Sequence, residues 1–438
     1  MRAHPSRAVL ALLLASGLAA GAATAFAANA PDAAASQPAN AVRPEFAKPF
    51  TAAQDLLKGG KAADALAKLK EAEAIGNLNP YEAYLIVRVR APAEYSLNDL
   101  PTAAKDFEAV LANDKLPADD RPTIMKALAE ILYTDKQYAK AAVWMQKVID
   151  SGADAGQLRE LLPQSYYLAQ DYPNAAKAYL AQVNAMYAAG QTPPEKTLRT
   201  LAYTQSQSGD DDAYAKTVEH LAVAYPKTEH GRDYWSDVIQ RASHGNEKLS
   251  DRLFVDVYRL KAAAYGQVAD SERLSYASLA MRAGFPSEAK RLLDDGIARK
   301  VFPGSDAGEA TKLRDQATRA AAQDKAQAAA NESGAKAASN GESLVGLGLA
   351  AALDGDAAHG VTLIEQGIAK GGLKAPAEAR LNLGIAQFLA GRYAESGKSF
   401  EAVGSTGALG ALAHAWSLLA QSQVQAHAAP APAAAASQ

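Results

Sequence analysis

The sequence predicts an all-α fold: an α-solenoid of stacked antiparallel helix pairs with a C-terminal capping helix. Three observations carry this. Residues 343–403 contain one pattern twice: Leu347-Gly348 is followed seven residues on by Gly355-Asp356, and Leu383-Gly384 at the same interval by Gly391-Arg392-Tyr393. Each copy closes a second apolar run on a bulky residue, Ile364 in one and Phe400 in the other. An internal repeat of this kind sets an architecture, because a lone helix pair cannot bury both faces and must stack on neighbours. The composition agrees. The chain is 49% hydrophobic but only 7% aromatic, and its abundant alanine suits close helix-on-helix packing. Alternating runs of β-branched residues are scarce, which argues against a large sheet.

Taken in order, residues 1–27 read as a secretory signal peptide. Arg2, His4 and Arg7 make a basic start, Val9 to Ala20 is apolar but too short to span a bilayer, and Ala25-Phe26-Ala27 offers a small-x-small cleavage site. The competing reading is an N-terminal membrane anchor. Residues 28–44, rich in Ala, Pro, Ser and Asn, read as a disordered leader. Helical patterning follows over 45–303 as an N-terminal array of pairs. In the third pair Leu128, Ala129 and Leu132 share one face, Asp135-Lys136-Gln137 makes a polar turn, and Tyr138 opens a helix with Ala141, Met145 and Val148 on one face. Residues 304–340 are alanine-rich and carry few large apolar side chains. They form helix readily but bury little. They are either a hinge between arrays 45–303 and 341–425 or a weakly packed part of one superhelix. Ala408–Val424 sets Leu409, Leu412, Trp416 and Leu419 on one stripe, with Ser417, Gln421 and Gln423 elsewhere. A terminal helix with one polar face would end the stack. Residues 426–438 contain only Ala, Pro, His, Gln and Ser and read as a disordered tail.

This arrangement resembles the tetratricopeptide repeat, a helix–turn–helix unit of about 34 residues. Ala91, Ala129, Ala202, Ala277, Gly348 and Gly384 match the small residue of its first helix. Ala65, Ala103, Ala141, Ala175, Ala289 and Gly360 match the small residue opening its second helix. Leu69, Phe107, Met145, Tyr179, Val218, Leu293, Ile364 and Phe400 match the large apolar residue one turn later. Tyr138, Tyr172 and Tyr393 match the turn tyrosine. Pro163, Tyr214 and Ser396 depart from the small-residue positions. From Ala65 to Ala103, Ala141 and Ala175 the spacing is 38, 38 and 34 residues, whereas Tyr214 to Ala289 and Ala289 to Gly360 are 75 and 71 apart. Each longer gap holds room for one hidden pair: Asp233–Ala242 with Asp251–Tyr265, and Ala307–Ala322 with a weak partner before Gly341. That makes about ten hairpins.

Formal net charge is −3, or −5 once Arg2 and Arg7 leave with the signal. This gives no electrostatic footprint for nucleic acid. With no cysteine, disulfides, thiolate metal sites and a lipidated cysteine are excluded. The expected address is the bacterial periplasm, with no stable membrane insertion after cleavage. Gly346-Leu347-Gly348 lies inside a helical pattern and is no phosphate loop. No serine nucleophile elbow is present, and His4, His220, His230, His244, His359, His414 and His427 do not pair at ligand spacing. Asp210-Asp211-Asp212 fits a helix start better than a calcium loop. No catalysis, metal or cofactor is therefore expected.

The resemblance implies a concave groove lined by the first helix of each pair. On this chain that puts Arg88, Lys126, Glu160 and Arg199 early in the lining, then Glu130, Gln164 and Tyr203, then Tyr95, Tyr133 and Tyr167. Tyrosines beside cations suit peptide binding, since they give broad contact and lose little rotamer entropy. The same rings would equally pack between helices with their hydroxyls at the edge. The implied function is a periplasmic protein–protein interaction scaffold or adaptor holding a peptide or protein partner. By analogy with the family it belongs in an envelope machine, TonB-type energy transduction or cell-wall or outer-membrane assembly. The alternatives are a self-associating structural protein, and a small-ligand binder or enzyme that would need convergent polar groups in the inner curve.

Overall fold

A computed structural model of the chain describes residues 41–243 and 249–428. The segment 1–27 expected to be a signal peptide, the expected leader as far as residue 40, His244 and the expected tail from 429 lie outside the described residues. Those described form twenty α-helices and two short 3-10 turns, with no strand among them. They divide into two compact units. One comprises the chain through Gln191 with Tyr203–Asp210, and the other comprises Thr192–Ala202 with the chain from Asp211.

The first unit stacks four antiparallel pairs. These are α1 (Pro44–Lys58) with α2 (Ala62–Glu73), α3 (Pro80–Ser96) with α4 (Leu100–Ala112), α5 (Arg121–Thr134) with α6 (Tyr138–Asp150), and α7 (Leu158–Leu168) with α8 (Tyr172–Ala188). Helix starts follow their caps. The Asn79 side chain accepts from the Tyr81 and Glu82 backbone N–H groups while Glu82 accepts from the Asn79 N–H, closing a capping box. Arg43 clamps the same Glu82 carboxylate at 2.8 Å. Each hairpin turn holds one residue in the left-handed region: Gly60, Asn98, Lys136 and Gln170. Ala65, Ala91, Ala103, Ala129, Ala141 and Ala175 are fully buried where paired helices approach, and Leu69, Phe107 and Met145 fill the layers between pairs.

The next helix, α9 (Glu195–Gln207), contributes residues to both units, with the division at Tyr203. The second unit continues with α10 (Asp211–Ala224), α11 (Gly231–Ser243), α12 (Asp251–Tyr265), α13 (Arg273–Arg282) and α14 (Pro286–Ala298). Thus α11 and α12 are the first hidden pair. The second differs from expectation. In place of two short helices, α15 runs unbroken over Ser305–Ala337. No proline interrupts it, and alanine with lysine and glutamine propagates helix across the place where a turn was anticipated. Only Ala310, Ala317 and Ala335 of α15 are buried, and residues 322–331 are all exposed. The boundary between compact units therefore falls near 191–211, while 304–340 lies within the second unit. Its helices α16 (Glu342–Leu353), α17 (Ala357–Lys370), α18 (Pro376–Leu389) and α19 (Tyr393–Glu401) form the two repeats read most clearly from sequence.

Their glycines mark close approach. A Cβ on Gly348 would lie 2.6 Å from the Gly360 carbonyl oxygen, and one on Gly360 would lie 2.4 Å from that of Gly348. The departure at Ser396 is accommodated because its buried Oγ donates to the Gly384 carbonyl at 2.8 Å. Between α12 and α14, Arg259 is buried with Asp256 and Glu288, each 2.6 Å away, and the Tyr276 hydroxyl donates to Glu288 at 2.6 Å. The last helix, α20 (Gly407–Ala428), reaches past residue 426, where the tail was expected to start. It packs on α18 and α19 and also on α10, α11 and α12, so it closes the second unit on itself.

Candidate partner-binding surface

The residues expected to line a groove separate into three groups. Arg88 on α3 is engaged within the fold. Its guanidinium pairs with Asp120 at 2.6 Å and donates to the Tyr84 hydroxyl at 3.0 Å. It ties α3 to the turn that leads into α5. Tyr95, Lys126 and Glu130 form a second group. Tyr95 is half-buried against the core, and burial together with the Glu130 charge pushes its hydroxyl pKa up. Burial also pushes the Glu130 carboxyl up, opposed by the Lys126 ammonium one helical turn away.

The third group is aromatic. Tyr133, the penultimate residue of α5, meets Tyr138, the first residue of α6, edge-on at 5.5 Å. Five residues apart again, Tyr167 and Tyr172 meet across the next turn at 6.4 Å. Tyr203 completes a triad, with its ring 6.0 Å from Tyr167 and 5.9 Å from Tyr172. Tyr172 and Tyr203 share a hydrogen bond that raises the Tyr172 pKa. Tyr179 lies close enough to both Tyr167 and Tyr133 for their charges to raise its own pKa, after burial. A run of tyrosines thus crosses the last two hairpins of the first unit and ends on Tyr203, which is 44% exposed. Tyr133, Tyr138, Tyr167, Tyr172 and Tyr179 are each half-buried. T-shaped aromatic pairs at such separations hold rings in fixed orientation.

Gln164 is exposed on α7. Arg199 is exposed as well, but it groups with the second unit, where its charge acts on Glu195 and Tyr234. The structure therefore brings Tyr133, Tyr167 and Tyr203 into one surface and leaves Arg88 and Arg199 out of it. Tyr138, Tyr172 and Tyr179 were read from sequence only as turn and core markers. The five-residue step from Tyr133 to Tyr138 and from Tyr167 to Tyr172 signalled those two, and Phe388 and Tyr393 repeat it at 5.1 Å in the second unit; no spacing signalled Tyr179.

Ionisable groups elsewhere in the first unit are spent on structure. Arg90 holds Asp106 at 2.5 Å and Glu73 at 2.9 Å, with Glu94 at 3.7 Å. Burial, and then the neighbouring Asp106, push the Glu94 carboxyl up to about 7. Among the described residues no three His, Asp or Glu side chains are grouped to hold a metal ion, and no helix is long and apolar enough to cross a membrane.

No protein-family model and no curated protein matches the chain. Among solved structures it is similar to one described as "Structure of Naa15/Naa10 bound to HypK-THB", at 13% identity and a TM-score of 0.29, over 82% of this chain and 58% of that one. It is similar too to "Crystal Structure of P58(IPK) TPR Domain at 2.5 A", at 11% identity and a TM-score of 0.23, over 88% of this chain and 99% of that one. The chain thus spans 58% of the length of the first. Likeness at these scores has no weight for function, and the all-α, paired-helix fold stands on the helices themselves.

Proposed function

We propose that the chain is a non-catalytic scaffold that binds a peptide segment of another protein along the tyrosine surface of its first unit. The observation that supports this is the run from Tyr133 and Tyr138 through Tyr179 to Tyr167, Tyr172 and Tyr203. It combines half-buried aromatic rings in mutual edge-on contact with an exposed ring, Tyr203, at its end. Such surfaces bind extended chains well: the rings are pre-positioned, so little side-chain entropy is lost, and the hydroxyls can donate to backbone carbonyls. The tetratricopeptide resemblance favours a protein partner over a small ligand. The periplasmic address rests on the basic, apolar and small-x-small order of residues 1–27. A role in an envelope machine rests on family analogy alone.

The test is to cross-link the secreted protein in a periplasm-plus-membrane extract and quantify one defined partner against Tyr133→Ala/Tyr167→Ala and Tyr203→Ala variants. Loss of an aromatic anchor costs about 1–2 kcal/mol or more, so capture drops about tenfold or further, whereas Arg199→Ala leaves it unchanged. Full retention by the tyrosine variants would move the binding site off this surface. The N-terminal residue of the same preparation, Ala28 if cleavage follows Ala27, checks the address.

A further inference from the structure

A cleft in the second unit is lined by the starts of three helices. Arg252 comes from α12, Glu342 from α16 and Glu378 from α18, with Asn382 one turn further along α18. The cleft encloses about 220 Å³ of open space, and Val345, Leu373 and Ala379 give it an apolar wall. The two carboxylates have an ordinary reason to be there, because an acidic residue in the first turn offsets the helix dipole. One Glu342 oxygen also accepts from the Lys374 backbone N–H at 3.1 Å. Asn382 has no such reason. It is only 5% exposed, and its carboxamide has no hydrogen-bond partner among the described residues. A buried amide left unpaired is costly, and folded chains leave few of them. Arg252 shows which sign of charge the cleft draws. Its Nε lies 3.7 Å from Glu378 Oε2, too far for a hydrogen bond, and its side chain is 56% exposed, so it stands loosely at the rim. Two carboxylates against one guanidinium leave one negative charge. An anion is thereby excluded. A divalent metal is poorly served as well, since no three carboxylate or imidazole groups gather to hold one among the described residues.

We propose that this cleft is a binding site for a primary alkylammonium group, carried by a lysine side chain of a partner or by a free amine. An ammonium has three N–H donors and no acceptor. The cleft offers three acceptors to match: the Glu342 and Glu378 carboxylates and the Asn382 carbonyl. The apolar wall takes the methylene stem, as such stems commonly lie along apolar surface. The ligand's single positive charge balances the one left over. Entry displaces Arg252 from a contact too long to be a hydrogen bond, so none to Arg252 is broken. The site belongs to the second unit and stands whether or not the tyrosine surface holds a peptide.

The test is ligand-observed saturation-transfer NMR on the full chain at neutral pH, with n-butylammonium as probe and 1-butanol as its uncharged counterpart. The amine should bind at least about tenfold tighter than the alcohol, because its hydrogen bonds are charge-assisted. Glu378→Gln and Asn382→Leu should each weaken the amine about fivefold or more, while Arg252→Ala strengthens it by removing a competing cation. Asn382→Leu also removes an unpaired buried amide, so its thermal midpoint should not fall. Glu378 is only half-buried, and Glu378→Gln keeps the test in force even where the Asn382 variant folds poorly. N-acetyl-lysine methylamide separates the two sources: binding as tight as n-butylammonium points to a partner's lysine, and weaker binding points to a free amine. The proposal is overturned if the amine binds no tighter than the alcohol, which leaves only water for Asn382. It is overturned equally if Glu378→Gln, or a folded Asn382→Leu, binds the amine as the parent chain does.

Discussion

Glu94 and Asp106 set two carboxyl groups against each other in the α3–α4 pair, with Arg90 beside both. Glu94 Oε2 is buried and has no hydrogen-bond donor facing it. Protonation resolves this, because the acid form can donate to Asp106. The folded-state pKa of Glu94, about 7, lies above its ordinary 4.5, so the folded chain holds this proton more tightly than the unfolded chain. The sign follows: the stabilisation is fully present below the unfolded value and is lost as pH rises through the folded one. Denaturant midpoints should fall between about pH 5 and about pH 8, and Glu94→Gln should flatten that fall by fixing the neutral form. An unchanged slope in the variant would show that other groups govern the window. None of this was legible in the sequence, where no motif or spacing singles out Glu94, Asp106 or Asp256. Their burial follows from which faces the pairs turn to each other, and that is a tertiary property.

The hairpin turn is where sequence and element meet most closely. Gly355 and Gly391, the residues that made the C-terminal repeat visible, take the left-handed conformation at φ 104° and 74°. Asn98, Lys136 and Gln170 take it at φ 62°, 63° and 60° in the first unit. The same backbone device therefore recurs upstream under residue types that do not announce it. That is why the repeat was plain after residue 343 and needed alanine spacing before. Non-glycine residues pay about 1–2 kcal/mol in this region, partly offset because glycine is freer in the unfolded chain. Lys136→Gly should therefore stabilise the chain by about 0.5–1 kcal/mol, seen as a higher urea midpoint with unchanged m-value. Any destabilisation would mean that the Lys136 side chain contributes more than its backbone costs. The hidden pair expected over 307–340 failed for the converse reason: with no left-handed turn residue and no proline, alanine carried one helix straight through.

For the chain as a whole, the paired helices and their small-residue contacts were readable because each depends on residues close in sequence. The division into units and the return of α20 to α10–α12 were not, since both depend on contacts between distant segments that leave no local period. The division carries a prediction. Trp416 is 1% exposed and lies against Phe388 and Phe400. Trp416→Ala should cost about 3–5 kcal/mol and accelerate amide exchange throughout α10–α12 as well as α18–α20, leaving α1–α8 unchanged. Acceleration confined to α18–α20 would mean that the second unit does not hold together as a cooperative body.

One property of α15 reaches further. Ala317, well inside the helix, and Ala335, near its C-terminal end, are both buried and eighteen residues apart. At about 3.6 residues per turn that is five whole turns, so the two buried positions lie along the same line of the rod. The uncovered stretch between them acts as a gauge that sets phase as well as length. Its individual side chains are free to vary, but its residue count is not. Two extra residues anywhere in 322–331 would rotate everything downstream by roughly 200°, while eighteen would restore the angle and lengthen the span. Drift in composition with strict constancy in number is the pattern of variation this segment should tolerate.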